Sequence, residues 1–392
     1  MRHNKKIIAG VLASALLLAG CSTSVTPSSA TQSSATATSS ATATTASTSD
    51  AADAGIDIDW STLPTTEVTL TDQGLTITDA GTYVLSGSST GQVVVNSDGY
   101  VRIVLDGVTI ASTDGAAIQV DNAEATVIKL AEGSTNTISD AATRADEEID
   151  GAIYSADDLY LTGTGTLEVT SSFADGIVGK DDLSILSGTI TVTSVDDGIR
   201  GTDSLTVSGG TISVNAAGDG VKATNSTDLG AGQLTVSGGE LTITAGDDAV
   251  KAEQKIWISG GTISIPASVE GIEAPVVVID GGQITVNASD DGINASTSDI
   301  ITSGMSVTIN GGDISINMGA GDTDAIDSNG DITINGGTLD ITAQSAFDWD
   351  GAGTLNGGTV TVNGEQVTEL TNQFAGMGGG AGGGGMGGGP QH

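Results

Sequence analysis

Asp197-Gly198-Ile199-Arg200-Gly201 opens a stretch whose reading decides the fold. It runs on through Ser204-Leu205-Thr206-Val207, turns at Ser208-Gly209-Gly210, and continues as Thr211-Ile212-Ser213-Val214. Then Asp219-Gly220-Val221-Lys222-Ala223 begins the pattern again. Each segment alternates apolar with polar or small residues, the period-2 mark of a strand with one buried face. Three short strands and three turns in about 22 residues cannot enclose a core alone. Stacked on their own copies they can.

The copies are present. The opening acid recurs at Asp175, Asp248, Glu270, Asp291 and Asp324, with looser versions at Asp150 and Asp348. Successive acids lie 21 to 25 residues apart, save for two gaps of 29 and 33. A second signature keeps the same register: Ser187, Ser208, Ser237, Ser259, Asp280, Asn310, Asn335 and Asn356 each precede glycine and then an alternating strand. Glycine supplies the positive-φ turn that a side chain resists. The expected fold is all-β, a right-handed parallel β-helix of about 22 residues per coil. Neighbouring coils should lie about 4.8 Å apart. Residues 65–145 are less regular but strand-like, and Asp114-Gly115-Ala116-Ala117-Ile118 reads as a degenerate first copy. They are expected to open the same stack, with a separate N-terminal domain as the alternative.

Composition agrees. The 392 residues include 58 glycines and only 3% aromatics, so Val, Ile, Leu and Thr must supply the core. A formal charge of −38 argues against nucleic-acid binding and for an affinity for cations. The only histidines are His3 and His392, which excludes a histidine-dependent triad or a zinc site in the folded part. Cys21 is the single cysteine, so no intramolecular disulfide forms.

The two ends carry different signals. Arg2 to Lys6 is a basic n-region, Ile7 to Leu18 an apolar h-region, and Leu18-Ala19-Gly20-Cys21 resembles the bacterial lipobox. Residues 1–21 are therefore expected to be a lipoprotein signal peptide, with Cys21 lipidated and the protein held at the extracellular face of the cell envelope. Residues 22–58, almost wholly Ser, Thr and Ala in their first part, should be a disordered tether. Residues 59–370 form the folded domain, and residues 371–392 a Gly/Met-rich flexible tail. A monomer is expected.

The chemistry should lie where the opening acids stack. The residue after each inward Ile or Val points outward: Val178, Arg200, Lys222, Lys251, Glu273, Asn294 and Asp327 in order. Beside this column stand the acids, doubled at Asp196–Asp197, Asp247–Asp248 and Asp290–Asp291, with Asp322 and Asp324 further on. Carboxylates about 5 Å apart repel by roughly 3 kcal/mol per pair at an effective dielectric near 20, so something must compensate. Turn amides and the basic column are one answer. Calcium is another, because it takes six to eight oxygens in flexible geometry. The candidate metal ligands are Asp196, Asp197, Asp219, Asp247, Asp248, Asp290 and Asp291. Arg200, Lys222 and Lys251 would meet negative groups of a ligand, with calcium bridging the rest. Trp257 lies between inward Ile256 and Ile258 and must point outward, with Tyr160 at the matching position four coils earlier. Both could stack on sugar faces. Trp60 and Trp349 should plug the two ends of the stack.

Taken together, the Asp-Gly-Ile and Ser-Gly-Gly-Thr-Ile motifs resemble a bacterial surface carbohydrate-binding β-helix family described first in cellulolytic clostridia. Gly81-Thr82-Tyr83-Val84-Leu85-Ser86-Gly87 and Val104-Leu105-Asp106-Gly107-Val108 resemble that family's N-terminal part. The resemblance implies a fold similar to calcium-dependent polysaccharide lyases, bound calcium, and cellulose or acidic glycans such as polygalacturonate as partners. It also raises an enzymatic alternative, β-elimination with Lys222 or Lys251 as the base. A lysine crowded by aspartates is a poor base, since they raise its pKa. A structural adhesin without sugar specificity is the third reading.

Overall fold

The computed structural model describes residues 57–319 and 323–372. The expected leader, most of the tether, Cys21, Asp322 and the tail from 373 onward lie outside the described residues. Within them the protein is all-β, and its one helical element is a short 3-10 turn at Trp60–Thr62. Strands form one sheet of 24 and one of 12. The pairing is parallel throughout, except where Glu365–Val367 folds back antiparallel on Thr359–Val362 at the end of the larger sheet.

The register follows the repeat. Ile177, Ile199, Val221, Val250, Ile272, Ile293, Ile326 and Phe347 pair successively in the 12-stranded sheet. The second segment of each repeat aligns Leu183, Leu205, Leu234, Ile256, Val277, Val307 and Ile332 in the larger sheet. The third aligns Ile190, Ile212, Leu241, Ile263, Ile284, Ile314 and Leu339. Each repeat thus gives one strand to the small sheet and two to the large one. These columns are buried and belong to one continuous core. β-Branched side chains suit this geometry, because each packs on the same residue type one strand spacing away.

Two glycine positions hold the strands this close. Gly239, in a Ser-Gly-Gly turn, has φ +89°, and a Cβ there would stand 3.0 Å from Gly209. In the acid motif, a Cβ on Gly220 would meet Ile243 Cγ2 at 2.2 Å and the Ala249 carbonyl at 2.5 Å.

The less regular N-terminal part joins the same sheets. Val93 pairs with Ile118, and Ile118 with Ile153, one step below Ile177. Tyr100–Ala111 is long enough to serve as two repeat segments, pairing with both Ala125–Leu130 and Thr135–Ser139. Trp60 is buried at one end, with the Arg102 guanidinium 4.9 Å from its ring centroid. At the other end Trp349 packs against the core. One side chain differs from the outward alternation. Val178 is fully buried, packed with Tyr154 and Ala116 in a small separate cluster. The preceding segment covers it, so the outward column begins at Arg200.

Candidate functional site

The aspartates form a ladder through the backbone. Asp175 Oδ1 accepts the amide of Asp197 at 3.1 Å, Asp197 Oδ1 that of Asp219 at 2.9 Å, and Asp219 Oδ1 that of Asp248 at 3.0 Å. Further on, Asp291 Oδ1 accepts the amide of Asp324 at 3.1 Å. In-register stacking creates this contact. Each carboxylate lies one strand spacing from the next turn, where an N–H would otherwise be buried without a partner. Asp175, Asp197, Asp219 and Asp248 are all buried.

Their second oxygens face the basic column. Lys222 Nζ lies 2.6 Å from Asp197 Oδ2 and 2.9 Å from Asp219 Oδ2, so it bridges two repeats. Arg200 reaches the other way, with Nε 2.7 Å from Asp175 Oδ2 and Nη2 paired to Asp150. Lys251 pairs with Asp248 and with Glu273 Oε2 at 2.6 Å. Burial disfavours the charged form of each cation, but the facing carboxylates outweigh it and raise all three pKa values. All three side chains are therefore cations near neutral pH.

Several carboxyls along this edge give up their protons less readily than free ones. Burial holds Asp175 up to about 6 despite Arg200. Burial and neighbouring Glu273 hold Glu270 up to about 7, and Asp291 is likewise pushed up to about 7 by burial. Asp327 rises to about 6, through burial and the nearby Asp348 and Asp324. Asp248 and Glu273 share Lys251 and split: burial and Glu273 raise Asp248, while hydrogen bonds from Asp248, Lys251 and Ser296 bring Glu273 below the usual range despite burial.

Two clefts of about 240 Å³ open along this edge. One is lined by Asp150, Asp175, Asp196, Asp197, Arg200 and Lys222. The other is lined by Lys251, Glu253, Glu273, Ser296, Ser298 and Asp299. Two loops rim this corner, residues 224–232 after Val221–Ala223 and residues 296–305 after Ile293–Ala295. They are tied back by Gln254, which accepts from the Gly230 amide, and by Ser298, which donates to the Glu253 carbonyl.

Of the expected metal ligands, Asp196 and Asp197 meet Asp175, and Asp247 and Asp248 meet Asp219, each trio with carboxylate oxygens within 4.8 Å of one another. Asp290 and Asp291 gather no third carboxylate in this way among the described residues. Two trios were not foreseen: Asp248–Glu270–Glu273 at the same edge, and Asp158–Asp181–Asp182 at another corner. The first was legible, since Glu270 and Glu273 stand one repeat above Asp248 and Lys251. As calcium ligands the oxygen-rich trios suit the ion's chemistry. Yet both oxygens of Asp175, Asp197 and Asp219 are already engaged. The exposed Asp196 and Asp247 at the rim of each trio meet the fewest competing groups.

Tyr160 and Trp257 stand on the larger sheet, away from this column. Trp257 is 40% exposed, and its Nε1 donates to Asp280 Oδ2 at 2.7 Å. Asp280 also accepts from Asn310, which accepts from Asn335, which accepts from Asn356, at 2.7 to 2.8 Å each. The residues before the last four Gly-Gly turns thus form a side-chain ladder. The hydrogen bonds from Asn310 and Trp257 draw the Asp280 pKa down.

Stacked carboxylates, ammonium groups and hydroxyls thus line one edge of the sheets. The chain belongs to the family of carbohydrate-binding domain-containing proteins, whose model matches residues 71–322 and 256–375. A solved structure of the polysaccharide lyase-like protein from C. thermocellum, a gadolinium derivative, is similar at 24% identity, with a TM-score of 0.48. The match covers 73% of this chain and 98% of that one. No curated protein matches.

Proposed function

We propose that this protein winds its repeats as a right-handed parallel β-helix and uses the acid–base edge to hold polysaccharide with calcium at the cell surface. Membership of the carbohydrate-binding family carries the polysaccharide reading. The edge supports the calcium reading through its charge balance. Arg200, Lys222 and Lys251 are each shared between two acids, so none has charge to spare for an acidic glycan. Such a glycan would meet a net negative wall. Calcium seated first on the exposed Asp196 and Asp247, and completed by Asp197 with Asp175 and by Asp248 with Asp219 where an oxygen can serve two partners, would bridge that wall to the glycan's own carboxylates. Asp290 and Asp291 are the weakest of the proposed ligands, with no third carboxylate beside them. Lipidation at Cys21 would place this edge outside the envelope.

The lysines are read as fixed cations rather than bases. A β-elimination needs a group that can accept the proton next to the uronate carboxylate. Lys222 and Lys251 are held protonated by their carboxylate partners, and would need about 1.4 kcal/mol for each tenfold of lost acidity. Incubating the protein with polygalacturonate, with and without a chelator, tests the whole reading. Capture on the polymer that disappears with the chelator is the expected result. Capture unaffected by the chelator would remove calcium, and growing ultraviolet absorbance from unsaturated products would reinstate the lyase. Replacing Asp247 and Asp248 together by Ala should lower calcium stoichiometry, and an unchanged count would strike that pair.

A further inference from the structure

The aromatic pair on the larger sheet is in register. Tyr160, Ser184, Thr206, Thr235 and Trp257 occupy successive partner positions, one per repeat. Four strand spacings of about 4.8 Å place the two side chains roughly 19 Å apart along the stack. The three residues between them are small and half-buried, so nothing rises between the two rings. The column lies on a different sheet from Arg200, Lys222 and Lys251.

We infer that this column is a second, calcium-independent glycan surface, which takes a neutral β-1,4-linked chain lying along the stack, one sugar per repeat. The inference rests on the carbohydrate-binding reading but not on the calcium-bridged edge. Three observations carry it. An extended β-1,4-linked chain advances by nearly one strand spacing per sugar, so chain and protein stay in step over the five positions. Alternate sugars of such a chain present opposite faces. Rings an even number of repeats apart therefore meet the same face, and Tyr160 and Trp257 are four apart. Charge disfavours a uronate at the Tyr160 end, where Asp158, Asp181 and Asp182 lie close by, while at the other end Asp280 holds Trp257 and the Lys255 ammonium stands 6.0 Å from the indole centroid. The carboxylates accept hydrogen bonds from sugar hydroxyls, and those around Tyr160 repel uronates. Ser184, Thr206 and Thr235 add hydroxyls along the path. The Trp257 indole is held at Nε1 by Asp280, so little side-chain freedom is lost when a sugar stacks on it.

The register makes a chain-length test possible. Four sugars cannot span both rings and five can. Titration with cello-oligosaccharides in a calcium chelator, followed by calorimetry or tryptophan fluorescence, should show a fall in Kd of at least tenfold between cellotetraose and cellopentaose. Trp257→Thr, which installs the residue type of Thr235 one repeat below, should raise the cellohexaose Kd at least tenfold and erase that step. Tyr160→Ser should do the same, and Trp257→Phe should keep the step. Circular dichroism melts confirm that each variant is folded. Both loss variants should still be captured by polygalacturonate in calcium. A smooth dependence on chain length, wild-type binding by Trp257→Thr, or no cellohexaose binding in chelator would each overturn the inference. Failure of polygalacturonate capture by the wild-type protein would sink the calcium-bridged edge alone.

Discussion

Replacing Lys222 with Met removes one positive charge from between two buried carboxylates. Its ammonium lies 2.6 Å from Asp197 and 2.9 Å from Asp219. At an effective dielectric near 20 those contacts are worth about 12 kcal/mol together before any cost is subtracted. Desolvating the ammonium costs several kcal/mol and ordering the side chain up to about 2 kcal/mol, and breaking a buried pair typically costs about 3–5 kcal/mol net. The Lys222 side chain is 21% exposed, so solvent screening puts the loss near the lower figure. A second limit is set by the solvent's protons. A carboxylate of ordinary acidity can be protonated at pH 7 for about 4 kcal/mol, and at pH 5 for about 1.5 kcal/mol. The variant can always escape by that route. The deficit should therefore be about 3 kcal/mol at pH 7 and no more than about 1.5 kcal/mol at pH 5. Stacked repeats open locally, so a global melting curve is a blunt probe. Hydrogen exchange in chelator, read at the Asp219 and Asp248 amides that the ladder binds, is the sharper one. About 3 kcal/mol corresponds to a loss of roughly two powers of ten in protection. Protection within threefold of wild type at pH 7, or a deficit that does not shrink at pH 5, would refute the idea that Lys222 neutralises the ladder.

Other outcomes follow from the same structure. Asp175, Glu270, Asp291 and Asp327 have folded pKa values of about 6 to 7, above their unfolded values. The stability they contribute is complete below about pH 4 and is lost as pH rises through 6 to 7, so the chelated protein's denaturant midpoint should fall between pH 5 and pH 8. A flat profile would contradict those raised values. Protons and calcium compete for the same oxygens, so calcium affinity by titration calorimetry should rise over that interval, and an affinity that falls instead would place the ion elsewhere. Gly220→Val should cost at least about 2 kcal/mol of stability by overpacking against Ile243, measured by chemical denaturation, and a neutral effect would show that the motif's glycine is not sterically required.

The repeat was readable because its two periods are local. Alternation marks the faces of a strand, and a return of the same acid every 21 to 25 residues marks the stack. Ile199, Leu205 and Ile212 could each be assigned inward from their neighbours alone. Val178 could not, because what covers it is Tyr154 and Ala116, one and two strands away in the stack. The partners of the basic column were equally hidden. Lys222 bridges its own acid and the one before, Arg200 takes the two acids before it, and Lys251 reaches forward to Glu273. A long side chain can lean either way along a stack, and no spacing rule says which. The aspartates' bonds to backbone amides were foreseen only as a class, since the donor belongs to the next repeat and not to the same turn.

The asparagine ladder has a polarity that the strands lack. Each amide gives through nitrogen and receives through oxygen, so Asn356, Asn335 and Asn310 all point their donors toward Asp280. A carboxylate can only receive, and Asp280 therefore ends the series, taking the Trp257 indole from the opposite side. Changing that one residue to Asn would turn a terminus into a relay. Its new amide would need an acceptor where the indole N–H now stands, and two donors would face each other. The choice of Asp over Asn at a surface turn thus fixes where a line of aligned dipoles stops, and with it the orientation of the one tryptophan that faces solvent.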